Sequence, residues 1–122
     1  METKAGHRRR VDCLELEKQL QTITRHITFD FDSPSLARIQ LIRGAVASGR
    51  VLTNGTRRLR ADGSDAKAVA SLARAQRGFA EVARAVQANE AKVPARSDYQ
   101  KYRSTTLKVT ATCAKAVRDA SS

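Results

Sequence analysis

Residues 64–94 read SDAKAVASLARAQRGFAEVARAVQANEAKVP, and this stretch decides the fold. Val69, Leu72, Phe79, Val86 and Val93 recur at steps of three and seven, the signature of one helical stripe, with Ala73, Ala80 and Ala83 filling it in and Val82 beside it. The period-two alternation of a half-buried strand is absent. Ser64, in the break Asp62-Gly63-Ser64-Asp65, is placed to cap the helix, and Pro94 to close it, since proline cannot continue a helix.

The same period extends outward on both sides. Upstream, Cys13, Leu16, Leu20, Ile23 and Ile27 lie on one stripe of a first helix, with Asp12, Glu15 and Glu17 suited to its positive end. Phe29-Asp30-Phe31-Asp32-Ser33-Pro34 ends that helix. Ser33 then reads as the cap of a second helix and Pro34 as its first residue. Leu36, Ile39, Ile42, Val46 and Leu52 supply its apolar side, and Gly44 and Gly49 allow close backbone approach. The turn dipeptide Asn54-Gly55 either ends this helix or is overrun as far as Leu59. Downstream, Ser97-Asp98 opens a fourth helix whose Tyr99, Tyr102, Thr106, Val109, Cys113 and Ala116 again alternate threes and fours. Met1 to Arg10 carries Lys4, Arg8, Arg9 and Arg10 without an apolar period and reads as a flexible basic arm. The expectation is an all-α, antiparallel four-helix bundle spanning residues 11–122 behind a short basic N-terminal arm, residues 1–10.

Composition narrows the core and the partners. The chain has 122 residues, within the usual size of one domain, and its apolar fraction is 41% with only three Phe, two Tyr, one Met and no Trp. Large side chains are scarce, so helices must approach through Ala. Lys and Arg number 23 against 12 Asp and Glu, a formal net charge of +11. Such a field attracts polyanions: nucleic acid, an anionic membrane surface or an acidic protein. No stretch approaches the ~18 uninterrupted apolar residues of a spanning helix, and no apolar run follows the charged N-terminus, so neither a membrane anchor nor a signal peptide is expected. Cys13 and Cys113, at similar heights in an antiparallel bundle, read as buried free thiols of a cytoplasmic protein, with a redox pair as the alternative.

One pattern carries chemistry. Basic residues recur every seven positions: Lys18 and Arg25; Arg43, Arg50 and Arg57; Lys67 and Arg74; Arg77 and Arg84; Lys101, Lys108 and Lys115. Seven residues are nearly two turns, so each row runs along one side of its helix with charges about 10 Å apart. Bundle geometry alone repeats solvated positions at this interval; the uniform positive sign is what points to phosphate. The candidate contact residues are Arg8, Arg9 and Arg10 of the arm, Arg43, Arg50 and Arg57, the cluster completed by Arg58 and Arg60, and Lys101, Arg103, Lys108 and Lys115. Tyr99 and Tyr102 read as core rather than as stacking platforms, which favours duplex over single-strand recognition. His7 and His26 have no ligand partners at metal spacing, and Asp30 and Asp32 read as turn acids, so no metal, cofactor or enzymatic activity is expected. The functional expectation is a non-enzymatic protein contacting the phosphate backbone of duplex RNA or DNA with little sequence preference, with a homodimer compatible with it. A module for a partner helix or acidic protein surface is the alternative.

Overall fold

The structure is a computed structural model that describes residues 3–27, 34–89 and 94–121. It consists of α1 (Lys4–Arg25), α2 (Pro34–Ala61), α3 (Ala66–Ala88) and α4 (Arg96–Ser121). Each helix packs on the next and α4 returns to α1, so α1 stands diagonal to α3 and α2 to α4. The contacts run antiparallel. Leu16 meets Gly55 while Ile27 meets Gly44, and Cys13 meets Cys113 while Thr24 meets Tyr102.

The core is thin and shared by all four helices. Leu16, Leu41, Leu52, Leu59, Leu72 and Phe79 are essentially sealed from solvent, each contributing roughly 1.5–3 kcal/mol by leaving water. Glycine permits the α1–α2 contact: a Cβ at Gly44 would lie 2.6 Å from Ile27 Cδ1, and one at Gly55 would run into the Leu16 side chain. Tyr102 packs on Phe79 with ring centroids 5.1 Å apart and shares a buried hydrogen bond of 3.0 Å with Ser48 Oγ.

Several boundaries differ from the sequence reading. The N-terminal arm is helical from Lys4, because Thr3 Oγ1 caps it by accepting from Gly6 N at 2.9 Å and because Arg8 and Arg9 bond to the α2–α3 turn. Asp12, Glu15 and Glu17 therefore lie inside α1, whose first turn holds no acid. Asn54-Gly55 does not stop α2, since Gly55 is required against Leu16; the helix runs through Leu59 to Ala61. It ends in a Schellman turn, with Ser64 N donating to Leu59 O, Gly63 N donating to Arg60 O, and Gly63 at φ 77°. That turn occupies Ser64, so Asp65 takes the N-cap position of α3, without a side-chain cap bond. The third helix stops at Ala88, ahead of Pro94. Asp98 Oδ2 accepts from Ala95 N at 3.0 Å and secures the start of α4.

The apolar phase of α2 is also different. Leu36, Ile39 and Val46 are exposed, and the buried side is Ala37, Leu41, Ala45, Ser48, Leu52 and Leu59. Cys13 and Cys113 are not free thiols: they form a disulfide with Cα atoms 5.5 Å apart, tying α1 to α4 across 100 residues of sequence. The cap assigned to Ser33, the Phe29–Asp32 turn and Val93 lie outside the described residues. Among the described residues no helix is long and apolar enough to cross a membrane.

Candidate functional site

Two of the basic rows meet. Lys67 and Arg74 project from α3 beside Lys108 and Lys115 of α4, on the two lips of a furrow between these helices. The antiparallel register sets Lys67 near the level of Lys115 and Arg74 near that of Lys108, because Gly78 faces Thr105 and Glu81 faces Lys101. Small side chains keep the furrow open. Its floor and walls include Ala68, Ser71, Ala75, Ala111, Thr112 and Ala116, so nothing long fills the space between the helices.

The helices pinch together at Gly78, where a Cβ would lie 3.1 Å from Thr105 Oγ1 and 3.2 Å from Thr105 Cγ2. Two adjoining cavities open along the furrow and share Ser71 and Thr112. One, about 400 Å³, lies beside the pinch and holds Arg74 and Lys108. The other, about 320 Å³, lies toward the α2–α3 turn and holds Lys67 and Lys115, joined by Arg9 from α1. Asp65 is the one acid among the residues that line either cavity. Beyond the pinch, Lys101 donates to Glu81 in an exposed ion pair. That hydrogen bond, and then the charge of Lys101, lowers the Glu81 carboxyl below its ordinary value.

Arg9 is fixed where the furrow ends. Its Nη1 donates to Gly63 O at 3.2 Å and to Asp62 O at 3.5 Å. Beside it, Arg8 Nε donates to Asp62 Oδ1 at 3.1 Å, with Asp62 only 18% exposed. Asp12 faces Asp62 across this joint. Burial foremost, then a hydrogen bond to Asp62 and the charge of Asp62, raise the Asp12 carboxyl to about 6 against the opposing charges of Arg58 and Arg8. The hydrogen bond to Asp62 needs the proton: ionised, Asp12 Oδ2 is buried without a donor among the described residues, and protonation turns it into the donor that Asp62 can accept.

The remaining candidates go elsewhere. Arg43, Arg50 and Arg57 are exposed on the side of α2 opposite its buried stripe, and α2 stands diagonal to α4, so this row does not join the furrow. Arg103 lines an apolar cleft of about 290 Å³ between α1 and α4, with Ile27, Tyr99, Tyr102 and Leu107. Arg10 Nη2 lies 3.0 Å from His7 Nδ1. Arg58 and Arg60 are exposed near the end of α2, and Lys101 is taken by Glu81. Lys67 and Arg74, absent from the candidates drawn from sequence, complete the site; their seven-residue spacing was the signal, but not which helix they would face. Among the described residues no three His, Cys, Asp or Glu side chains gather as a metal site.

No family model, no curated protein and no solved structure matches the chain.

Proposed function

We propose that the protein binds nucleic acid by its phosphate backbone, with one strand of a duplex laid along the α3–α4 furrow. The observation that carries this reading is the convergence of Lys67, Arg74, Lys108 and Lys115 from two helices on one furrow, with Arg9 at its end and a single lining acid. Within each row the charges are about 10 Å apart and project from rigid helices, so a run of phosphates meets cations on both lips. The furrow walls are Ala, Ser, Thr and Gly, and Phe79, Tyr99 and Tyr102 are buried, so the described residues offer no ring for stacking an unpaired base. Contacts of this kind position a duplex without reading its sequence.

The test is binding of a mixed-sequence duplex over a salt series. The logarithm of affinity falls linearly with the logarithm of salt, and Lys108→Glu with Lys115→Glu flattens that slope by about two, or more where the new acids repel further phosphates. Undetectable binding in dilute buffer, or affinity indifferent to salt, overturns the proposal.

A second reading, an adaptor for an acidic protein surface, is favoured by the outward side of α2. Leu36, Ile39 and Val46 are 48%, 43% and 41% exposed there among Arg43, Arg50 and Arg57. A partner helix with aliphatic and acidic residues would complement that mixture. Arg43→Glu with Arg50→Glu weakens such a partner and leaves duplex affinity nearly unchanged. The cytoplasmic location inferred from reduced thiols loses that basis with the Cys13–Cys113 bond.

A further inference from the structure

We propose that the end of the furrow at Arg9 is a seat for a phosphate monoester, so that a duplex is engaged at a phosphorylated strand end; this rests on the furrow being the nucleic-acid surface. The two cavities differ in charge and in the number of helices that supply it. Beside the pinch, Arg74 and Lys108 face a single furrow segment that continues toward the turn, which suits an internal phosphodiester with its one negative charge. At the turn, Arg9, Lys67 and Lys115 come from three helices into one cavity, against Asp65 alone. Among the described residues Lys67 and Lys115 have no ion-pair partner, and three like charges in one cavity repel each other. A monoester carries about −1.5 to −2 at neutral pH and presents three acceptor oxygens, matching the surplus that a diester leaves.

The fixing of Arg9 points the same way. The Arg9 guanidinium spans the end of the furrow, held by the carbonyls of Asp62 and Gly63, and Gly63 and Ser64 form the wall behind it. A strand that ends beside these residues puts its terminal phosphate next to Arg9, Lys67 and Lys115. Both Arg9 bonds leave from Nη1, so among the described residues nothing takes Nε or Nη2, which can serve an occupant. The Ser64 hydroxyl, withdrawn from solvent, has no hydrogen-bond partner and becomes a further donor on rotation about its χ1. No aromatic ring lines the cavity, so recognition falls on the phosphate and not on a base.

The experiment compares two blunt duplexes of one sequence, one with 5′-phosphates and one with 5′-hydroxyls, both labelled at a 3′ end, at the same salt concentration. The phosphorylated duplex binds about tenfold more tightly, the size of one additional hydrogen bond to a charged group. Arg9→Gln and, separately, Lys67→Gln bring that ratio toward one; the second variant guards against a folding defect from loss of the Arg9 wall bonds. Asp65→Asn raises the ratio. Excess glycerol 3-phosphate, which supplies the same group free of nucleic acid, erases the difference between the duplexes; failure to do so counts against the seat. Firm, equal binding of both duplexes overturns this inference and leaves the furrow in place, whereas binding of neither removes the furrow reading as well.

Discussion

Toward α1, helix α4 turns Tyr99, Tyr102 and Cys113; toward α3 it turns Thr105, Lys108, Thr112 and Lys115. The first seam is knit by a covalent bond and by a hydroxyl chain running from Thr24 through Tyr102 to Ser48, and the cleft left in it is apolar. The second is closed at Gly78 and Thr105, by the ring contact of Phe79 with Tyr102 and by the Lys101–Glu81 pair, and opens on its outer side between cationic lips from Arg74 and Lys108 to Lys67 and Lys115. One helix thus holds the bundle together along one side and leaves a charged furrow along another. Side-chain size decides which: large residues and a disulfide consume the space in one seam, and Ala, Ser and Thr cannot consume it in the other.

Breaking the closed seam has the largest expected effect. Cys13→Ser with Cys113→Ser, or reduction, releases a loop of 100 residues, and in the chain-entropy account this costs about 4–5 kcal/mol, much of the stability of a domain this size. Urea unfolding with and without reductant reads it directly as a fall in midpoint. Unchanged midpoints would mean that packing alone holds α1 to α4. Tyr102→Phe attacks the same seam more gently. It strands the fully buried Ser48 hydroxyl and lowers stability by about 1–3 kcal/mol, measurable in the same titration.

A smaller, pH-dependent effect sharpens the comparison at the joint where the two seams approach each other. The Asp12 carboxyl rises from 3.8 to about 6 on folding, so between these values the folded chain holds a proton that the unfolded chain has released. The contribution is present below 3.8 and is lost as pH rises through about 6, which makes ionised Asp12 unfavourable at neutral pH. Asp12→Asn, which donates to Asp62 at any pH, therefore unfolds at higher temperature than wild type at neutral pH and coincides with it near pH 3. A constant difference across that range would remove Asp12 as the titrating group. The smallest change is Glu81→Gln at the far end of the furrow. It leaves thermal stability unaltered, because the Lys101 pair is solvent-screened, and it strengthens duplex binding slightly by freeing one cation.

The stripes of α1, α3 and α4 were legible because their large residues have a single phase; Leu16, Leu20, Leu72, Phe79, Tyr102 and Val109 all proved buried. In α2 two phases compete. Of the residues read as its apolar side, Leu52 is buried and Ile42 partly so, whereas Leu36, Ile39 and Val46 are exposed; the buried stripe runs through Leu41, Leu52 and Leu59, since it places Gly44 and Gly55 against α1. Helix ends failed where tertiary contacts overrode local signals, as at Lys4, where arginine bonds to a distant turn extend α1. The cationic rows were visible as seven-residue spacings. Which rows would meet was not, because spacing gives the side of a helix without its neighbour: it joined Lys67 to Arg74 and Lys108 to Lys115, but gave no reason to prefer them over Arg43, Arg50 and Arg57.

That last contrast supplies the most direct measurement. Lys108→Glu with Lys115→Glu and Arg43→Glu with Arg50→Glu change net charge equally, on opposite sides of the bundle. Duplex affinity measured for both at one low salt concentration separates a furrow from a diffuse positive field. If the furrow binds the backbone, the α4 pair loses affinity by about a hundredfold, as expected for two phosphate contacts, while the α2 pair stays near wild type. Equal losses in the two would contradict the account, for the net charge of +11 alone would then attract the duplex.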